Sequence, residues 1–117
     1  MEKKNEIVDI SIDFAVKIIE FCELLEKGRK FVVANQLLKS GTSIGANIRE
    51  AQNAESKKDF VHKLKIAAKE AEETEYWLIL CERSVNYPSS KELYDVLISI
   101  KKLLGRIIST TKQGMKK

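Results

Sequence analysis

Residues 57–84 read KKDFVHKLKIAAKEAEETEYWLILCERS, and mostly apolar or small residues recur in this stretch at alternating steps of four and three. The recurring positions are Phe60, Leu64, Ala67, Ala71, Thr74, Leu78 and Cys81. This spacing forms a seam along one face of an α-helix, as in helices that pack side by side at small crossing angles. The stretch therefore predicts a long helix within a helical bundle.

Turn signals divide the rest of the chain into three further segments with helical periodicity. Lys27-Gly28 ends the first segment, Glu55-Ser56 separates the second from the third, and Asn86–Ser89 separates the third from the fourth. No segment alternates like a β-strand over a comparable length. Short connections favour an all-α, antiparallel up-down-up-down four-helix bundle in a single domain. The expected helices within this domain, 1–117, cover about 5–26, 31–54, 57–84 and 90–112.

Two of the expected helix starts carry a capping-box pattern, Ser56 with Asp59 and Ser89 with Glu92. In this pattern the serine hydroxyl accepts a hydrogen bond from a first-turn amide, and the carboxylate reaches back toward the serine. We therefore expect both serines to cap their helices. Gly114 is expected to close the fourth helix.

The first segment carries a wide apolar face. One stripe consists of Ile7, Ile10, Phe14, Ile18, Phe21 and Leu25. A second stripe beside it consists of Val8, Ile12, Ala15, Ile19 and Cys22. The third segment also has apolar residues outside its seam, at Ile66, Trp77 and Leu80. These three either pack on an adjacent helix at the edge of the seam or form a subunit interface.

The second segment has glycines in the middle of its apolar line, at Gly41 and Gly45. Each costs up to about 1 kcal/mol relative to alanine inside a helix, so another interaction must offset them. Their spacing allows a neighbouring helix backbone to approach closely. The polar stripe that flanks this face is either simply exposed or an interface surface. Its members are Gln36, Ser40, Ser43, Asn47 and Glu50.

The net charge of +4 is unevenly distributed along the chain. Residues 27–49 contain five basic residues and no acidic residue, and residues 96–117 contain six basic residues and no acidic residue. Such clusters can neutralise phosphates through counterion release, without reading bases. They can equally complement helix dipoles and maintain solubility. The residues expected to contact nucleic acid are Arg29, Lys30, Lys39, Arg49, Lys101, Lys102 and Arg106.

Residues suited to catalysis or metal binding are sparse. His62 is the only histidine, so the paired Glu-x-x-His sites of di-iron bundles cannot form within one chain. Cys22 and Cys81 lie in predicted helices without close Cys or His neighbours, which favours reduced core thiols over a zinc site. Neither these thiols nor the serines of the second segment have an activating base nearby in the sequence. The sequence therefore predicts a non-enzymatic protein with no metal, no cofactor and no small-molecule substrate.

Composition places the chain among folded domains, with 44% hydrophobic and 32% charged residues. No apolar run reaches the roughly 18 residues that a membrane-spanning helix needs, and residues 1–4 lead into an amphipathic segment instead of a signal peptide's apolar core. The apolar face of the fourth segment is needed for the bundle, which argues against a membrane partner. We expect a cytoplasmic protein.

Residues 36–51, QLLKSGTSIGANIREA, resemble the signature helix of the 23S ribosomal RNA intervening-sequence protein family, also called the four helix bundle protein family. Arg49 departs from this pattern, because the family more often has alanine there. Residues 59–78 are similar to the third helix of the family, through Asp59-Phe60, residues 63–67, residues 69–71, Glu73-Thr74 and residues 76–78. Residues 103–112 resemble its fourth helix.

The resemblance implies a bacterial four-helix bundle that assembles as a ring, typically a homopentamer. Family members are encoded within intervening sequences of ribosomal RNA genes or as free-standing genes. A related accessory protein of diversity-generating retroelements binds a reverse transcriptase and nucleic acid through a positively charged surface. The family has no known catalytic residues. Ring assembly would also account for the wide apolar face of the first segment and the apolar residues left outside the seam of the third.

Two hypotheses for the function follow. The first is a homo-oligomeric bundle that binds structured RNA or DNA through its basic surfaces without sequence specificity. The alternative is a protein-binding scaffold or accessory subunit for a polymerase or another protein, with the positive charge serving only solubility. The first predicts binding that weakens steeply with salt, and the second predicts a protein partner that resists nuclease and salt.

Overall fold

The computed structural model describes residues 5–116, which form four helices. These are α1 (Glu6–Lys27), α2 (Phe31–Ala51), α3 (Lys57–Arg83) and α4 (Lys91–Met115). Contacts join α1 to α2, α2 to α3, α3 to α4 and α4 to α1, whereas α1 and α3, like α2 and α4, lie diagonally across the bundle. The all-α four-helix bundle predicted from the sequence is confirmed.

The core lies between the four helices, and the seam of α3 supplies much of it. Six of its seven predicted positions are buried, and Phe60 packs against them as a half-buried side chain. On α4, the same four-three spacing recurs at Leu93, Leu97, Ile100 and Leu104, which are buried, and at Ile107, which is half-buried. Burial of such apolar side chains is the main stabilising term, at roughly 1.5–3 kcal/mol for each large one. The four-three periodicity of the sequence therefore identifies the core correctly.

One of the two predicted helix caps is confirmed and the other is wrong. The Ser56 hydroxyl accepts a hydrogen bond from the Asp59 backbone N–H at 3.0 Å. At the start of α4 the cap residue is Ser90 instead of Ser89, and the carboxylate that serves this end is Glu82 of α3. Glu82 accepts hydrogen bonds from the Ser90 backbone N–H at 2.8 Å and from the Ser89 hydroxyl at 3.0 Å. The last turn of α3 thus supplies the acceptor that the sequence pattern assigned to Glu92.

Two helix ends differ from the sequence-based expectation. The second helix ends at Ala51, because residues 52–54 continue as a turn with backbone bonds back to Arg49, Glu50 and Ala51. The fourth helix continues through Gly114 to Met115, since a glycine weakens a helix without ending it. Within residues 5–116, no helix has the length and apolar content to cross a bilayer.

Candidate functional site

The polar stripe of α2 faces α3, and one of its members is buried there. Ser40 is 1% exposed, and its hydroxyl shares a hydrogen bond with the Thr74 hydroxyl at 3.0 Å. The Thr74 hydroxyl also donates to the backbone carbonyl of Glu70 at 2.7 Å. Because both hydroxyls find partners, their burial leaves no polar atom unsatisfied. Ser40 therefore serves helix packing within the chain.

The other four members of the stripe are more exposed than Ser40. The Ser43 hydroxyl donates to the Lys39 carbonyl at 2.7 Å, and the Asn47 amide donates to the Ser43 carbonyl at 2.8 Å, both within α2. Glu50 is exposed and pairs with Lys63 of α3 at 3.4 Å. Gln36 is exposed.

Two of the three α3 residues singled out outside the seam, Ile66 and Trp77, lie beside this stripe. The Ser40–Thr74 and Glu50–Lys63 contacts fix how α2 and α3 are aligned. Trp77 is three residues beyond Thr74, and Ile66 is three residues beyond Lys63, so both lie one turn along the same side of α3. Both are half-buried, and the Trp77 indole N–H donates to the Glu73 carboxylate at 3.3 Å. The structure thus brings the polar stripe, Ile66 and Trp77 together on one α2–α3 face.

The close helix approach predicted from the glycines occurs between α1 and α2. A Cβ atom at Gly41 would lie 2.9 Å from the Cγ1 and Cγ2 atoms of Ile18. A Cβ atom at Gly45 would lie 3.4 Å from the carbonyl and hydroxyl oxygens of Ser11. Both glycines therefore pack against α1 of the same chain, and this contact offsets their cost in helix propensity.

The seven basic residues predicted to contact nucleic acid do not form one surface. Lys39 and Arg49 lie on α2 and are exposed, and Arg29 and Lys30 lie in the turn before it. The other three, Lys101, Lys102 and Arg106, lie on α4. Because α2 and α4 are diagonal in the bundle, one chain presents two separate basic regions.

The turn before α2 is held by a feature that the sequence did not reveal. Arg29 is exposed and adopts a left-handed backbone conformation, with φ 63°. The Lys30 ammonium lies 5.1 Å from the centre of the Tyr87 ring, a cation–π contact with the α3–α4 loop. This contact joins the α1–α2 turn to the α3–α4 loop at the same end of the bundle.

Lys101 is engaged in ion pairs between α4 and α3. Its ammonium lies 2.7 Å from a Glu72 carboxylate oxygen and contacts Glu75 as well, joining α4 to α3. Burial alone would lower the pKa of Lys101, but the hydrogen bonds and charges of these carboxylates outweigh it and raise the pKa above its ordinary value. Lys101 therefore acts as a structural link. Lys102 and Arg106, in contrast, are exposed.

Groups with catalytic or metal-binding potential are either buried or scattered. Cys22 and Cys81 are buried free thiols, and burial raises the pKa of Cys22 to about 12 and that of Cys81 to about 11. Both are therefore protonated and poorly nucleophilic at neutral pH. His62 is exposed, and residues 5–116 contain no cluster of three or more histidine, cysteine or carboxylate side chains arranged to hold a metal ion.

Residues 3–109 match the sequence profile of the 23S rRNA-intervening sequence protein family. The chain belongs to this family. A crystal structure of a protein of unknown function from the S23 ribosomal protein family of Bacteroides thetaiotaomicron superposes with a TM-score of 0.83 at 47% sequence identity. The matched region covers 87% of the present chain and 97% of that protein. Among curated proteins, none is similar enough to match.

Membership of the 23S rRNA-intervening sequence protein family confirms the resemblance drawn from residues 36–51. The match spans the polar stripe, both central glycines and the α3 residues beside them. These residues meet at the α1–α2 and α2–α3 contacts described above, so the family pattern coincides with how α2 is held in the bundle. The outward side of α2, with Lys39, is the part of this helix that packing leaves free.

Proposed function

We propose that this protein is a non-enzymatic, cytoplasmic homo-oligomer that binds RNA or DNA through the basic face of α2 and the turn before it. The observation that carries the proposal is the charge of this segment. Its five basic residues, Lys27, Arg29, Lys30, Lys39 and Arg49, are accompanied by no acidic residue. Within residues 5–116, none of the five lies within 4 Å of a carboxylate oxygen, as the ion pairs there involve other lysines.

The arrangement of these charges suits a phosphate backbone. Lys39 and Arg49 are ten residues apart on α2, which corresponds to about 15 Å along the helix, and Arg29 lies in the turn before it. Glu50, which follows Arg49 in the sequence, pairs with Lys63 of α3 at 3.4 Å. Lysine and arginine contacts to phosphates supply affinity that depends on salt and carries no sequence information. We therefore propose binding without sequence specificity.

The basic residues of α4 fit this role less well. Lys101 is already neutralised by Glu72 and Glu75, and Asp95 and Glu92 lie on the same helix. Lys102 and Arg106 remain exposed, but they lie diagonally across the bundle from α2. The proposal therefore places the phosphate contacts on α2 and not on α4.

The proposal is tested by charge reversal on the two helices. We expect the double variant Lys39→Glu/Arg49→Glu to bind a fluorescent structured RNA and a DNA duplex at least tenfold more weakly than the wild type in an anisotropy titration at low salt. The matched control is Lys102→Glu/Arg106→Glu, which makes the same change in net charge on exposed positions of α4. Light scattering checks that both variants keep the wild-type oligomer. Equal affinity of the α2 variant and the wild type, or weakening by the α4 variant alone, contradicts the proposal.

A second candidate function is favoured by the α2–α3 face. Trp77 and Ile66 are half-buried there beside the polar stripe, and Tyr76 is 57% exposed with its ring 5.3 Å from that of Trp77. Aromatic side chains surrounded by charged residues are typical anchors for a protein partner. On this alternative the protein is a scaffold or accessory subunit for a polymerase or another protein. It predicts that Tyr76→Ala abolishes capture of a protein that is retained in the presence of nuclease and high salt.

A further inference from the structure

We propose that α1 of one copy of the chain docks into the groove between α3 and α4 of a second copy. The proposal rests on the homo-oligomeric state proposed above and assigns the two surfaces that meet. One surface is an acidic apolar ridge on α1, and the other is a basic groove with an apolar floor.

The ridge on α1 consists of three large apolar residues that no helix of the same chain covers. Ile12 is 42% exposed, Val16 is 50% exposed and Ile19 is 43% exposed. Their spacing of four and three places them along one outward face of α1. Exposed carboxylates border them, and within residues 5–116 none of these pairs with a basic side chain. They are Asp9, Asp13, Glu20 and Glu23.

The groove between α3 and α4 has the opposite charge. Its floor is formed by Ala68 of α3 and by Gly105 and Ile108 of α4, under a hollow of about 260 Å³. A second hollow of about 320 Å³, lined by α4 and its C-cap residue alone, adjoins the first at Gly105 and Ile108. A Cβ atom at Gly105 would meet no atom within 4 Å, so the space above it is open. Lys69 lines the first hollow, and Lys112 and Lys116 line the second. Glu72 also lies at the groove, but it is paired with Lys101.

Ridge and groove complement one another in shape, polarity and charge. A helix with apolar residues along one face fits a groove with an apolar floor, and the carboxylates of α1 would meet the lysines of the groove. Because α1 is diagonal to α3, the ridge cannot reach the groove of its own chain. Each chain therefore offers both surfaces to different neighbours, a heterologous contact that closes into a ring or continues as a filament. The outward face of α2 stays free for phosphates.

Two substitutions test the contact from its two sides. Val16→Lys puts a positive charge on the ridge, and Gly105→Trp fills the open part of the groove. Each should weaken self-association on the order of 100-fold, measured by light scattering over a range of concentrations, because the first opposes like charges and the second blocks the apolar floor. The matched controls are Val32→Lys, at a position 74% exposed on α2, and Gly114→Trp, where a Cβ atom likewise meets nothing within 4 Å.

Photo-crosslinking locates the contact directly. With benzoylphenylalanine in place of Val16, we expect adducts between chains on residues 65–72 and 101–116, identified by mass spectrometry. The proposal would be overturned if Val16→Lys and Gly105→Trp both assembled like the wild type, or if the adducts lay on other parts of the partner chain. Neither result would contradict the homo-oligomer or the nucleic-acid site on α2. A monomeric wild-type chain would overturn both this proposal and the homo-oligomer. A wild-type chain that assembles but does not bind nucleic acid would contradict the phosphate site on α2 and would not contradict this contact.

Discussion

Replacing Gly41 with alanine places a methyl group where α1 and α2 approach most closely. The new carbon would lie 2.9 Å from both Cγ atoms of Ile18 and 3.2 Å from its Cδ1 atom. Carbon atoms attract best at about 3.5–4.0 Å, so all three contacts are repulsive. Ile18 is fully buried and branched at Cβ, so rotation about χ1 cannot move both Cγ atoms away. Relief therefore requires a shift of the helix backbones.

The cost of Gly41→Ala follows from two opposing terms. Overpacking a core costs about 1–3 kcal/mol, and the better helix propensity of alanine returns up to about 1 kcal/mol. At Gly105 a Cβ atom would meet nothing within 4 Å, so Gly105→Ala gains helix propensity without overpacking the core. The two variants should therefore differ by about 1–3 kcal/mol in free energy of unfolding. For a chain of 117 residues this corresponds to about 4–12 °C in Tm.

The comparison is made by urea and thermal unfolding, followed by circular dichroism, with all proteins at one chain concentration because assembly also stabilises the fold. Gly45→Ala is the intermediate case, since its Cβ atom would lie 3.4 Å from two Ser11 oxygens. We expect stability to decrease in the order Gly105→Ala, Gly45→Ala, Gly41→Ala. A Gly41→Ala variant as stable as Gly105→Ala would contradict this prediction, because it would mean that α1 and α2 are farther apart at Gly41 than the structure has them.

Two further predictions concern titratable groups. Hydrogen bonds from the Ser90 backbone and the Ser89 hydroxyl lower the pKa of Glu82, so its contribution to stability is present above the unfolded pKa of 4.5 and is lost as the pH falls through the native value. The free energy of unfolding should therefore decrease less on acidification in Glu82→Gln than in the control Glu55→Gln, measured by urea unfolding between about pH 3 and pH 7. An equal decrease in both variants would contradict this prediction. Burial raises the pKa of Cys22 to about 12 and that of Cys81 to about 11, so neither thiol should react with an aromatic disulfide reagent near about pH 8 until the chain unfolds. Because unfolded thiols ionise near 9.0, stability should also fall as the pH rises above that value; fast labelling of the native protein would show that the core is open.

The fold could be predicted from sequence because its determinants are local and periodic. The seam from Leu64 to Cys81 needs only helical geometry to define a buried face, and Ser56 caps α3 through a residue three positions away. The close approach at Gly41 was also predictable, because a glycine in a helix interior requires compensation. That α1 is the partner helix could not be predicted, since the spacing of the glycines does not identify which neighbouring helix comes close.

The predicted cap of α4 was wrong because the carboxylate that accepts its hydrogen bonds is not local. Ser89 and Glu92 carry the right residue types, but Glu82 in the last turn of α3 lies closer to the free backbone N–H groups. Lys101 shows the same limit for charge: its partners, Glu72 and Glu75, are more than 25 residues away in the sequence. Counting charges by segment correctly located the basic regions, but only the diagonal placement of α2 and α4 shows that they are separate surfaces.

The salt dependence of nucleic-acid binding is the decisive measurement for the phosphate contacts of α2. The measurement is an anisotropy titration of the nuclease-treated wild-type protein against a duplex DNA and a structured RNA at several salt concentrations. Contacts from Arg29, Lys30, Lys39 and Arg49 predict that the logarithm of the duplex association constant falls with the logarithm of salt concentration with a slope of about −3 or steeper. A lack of binding at low salt, or an affinity that does not change with salt, would contradict the account.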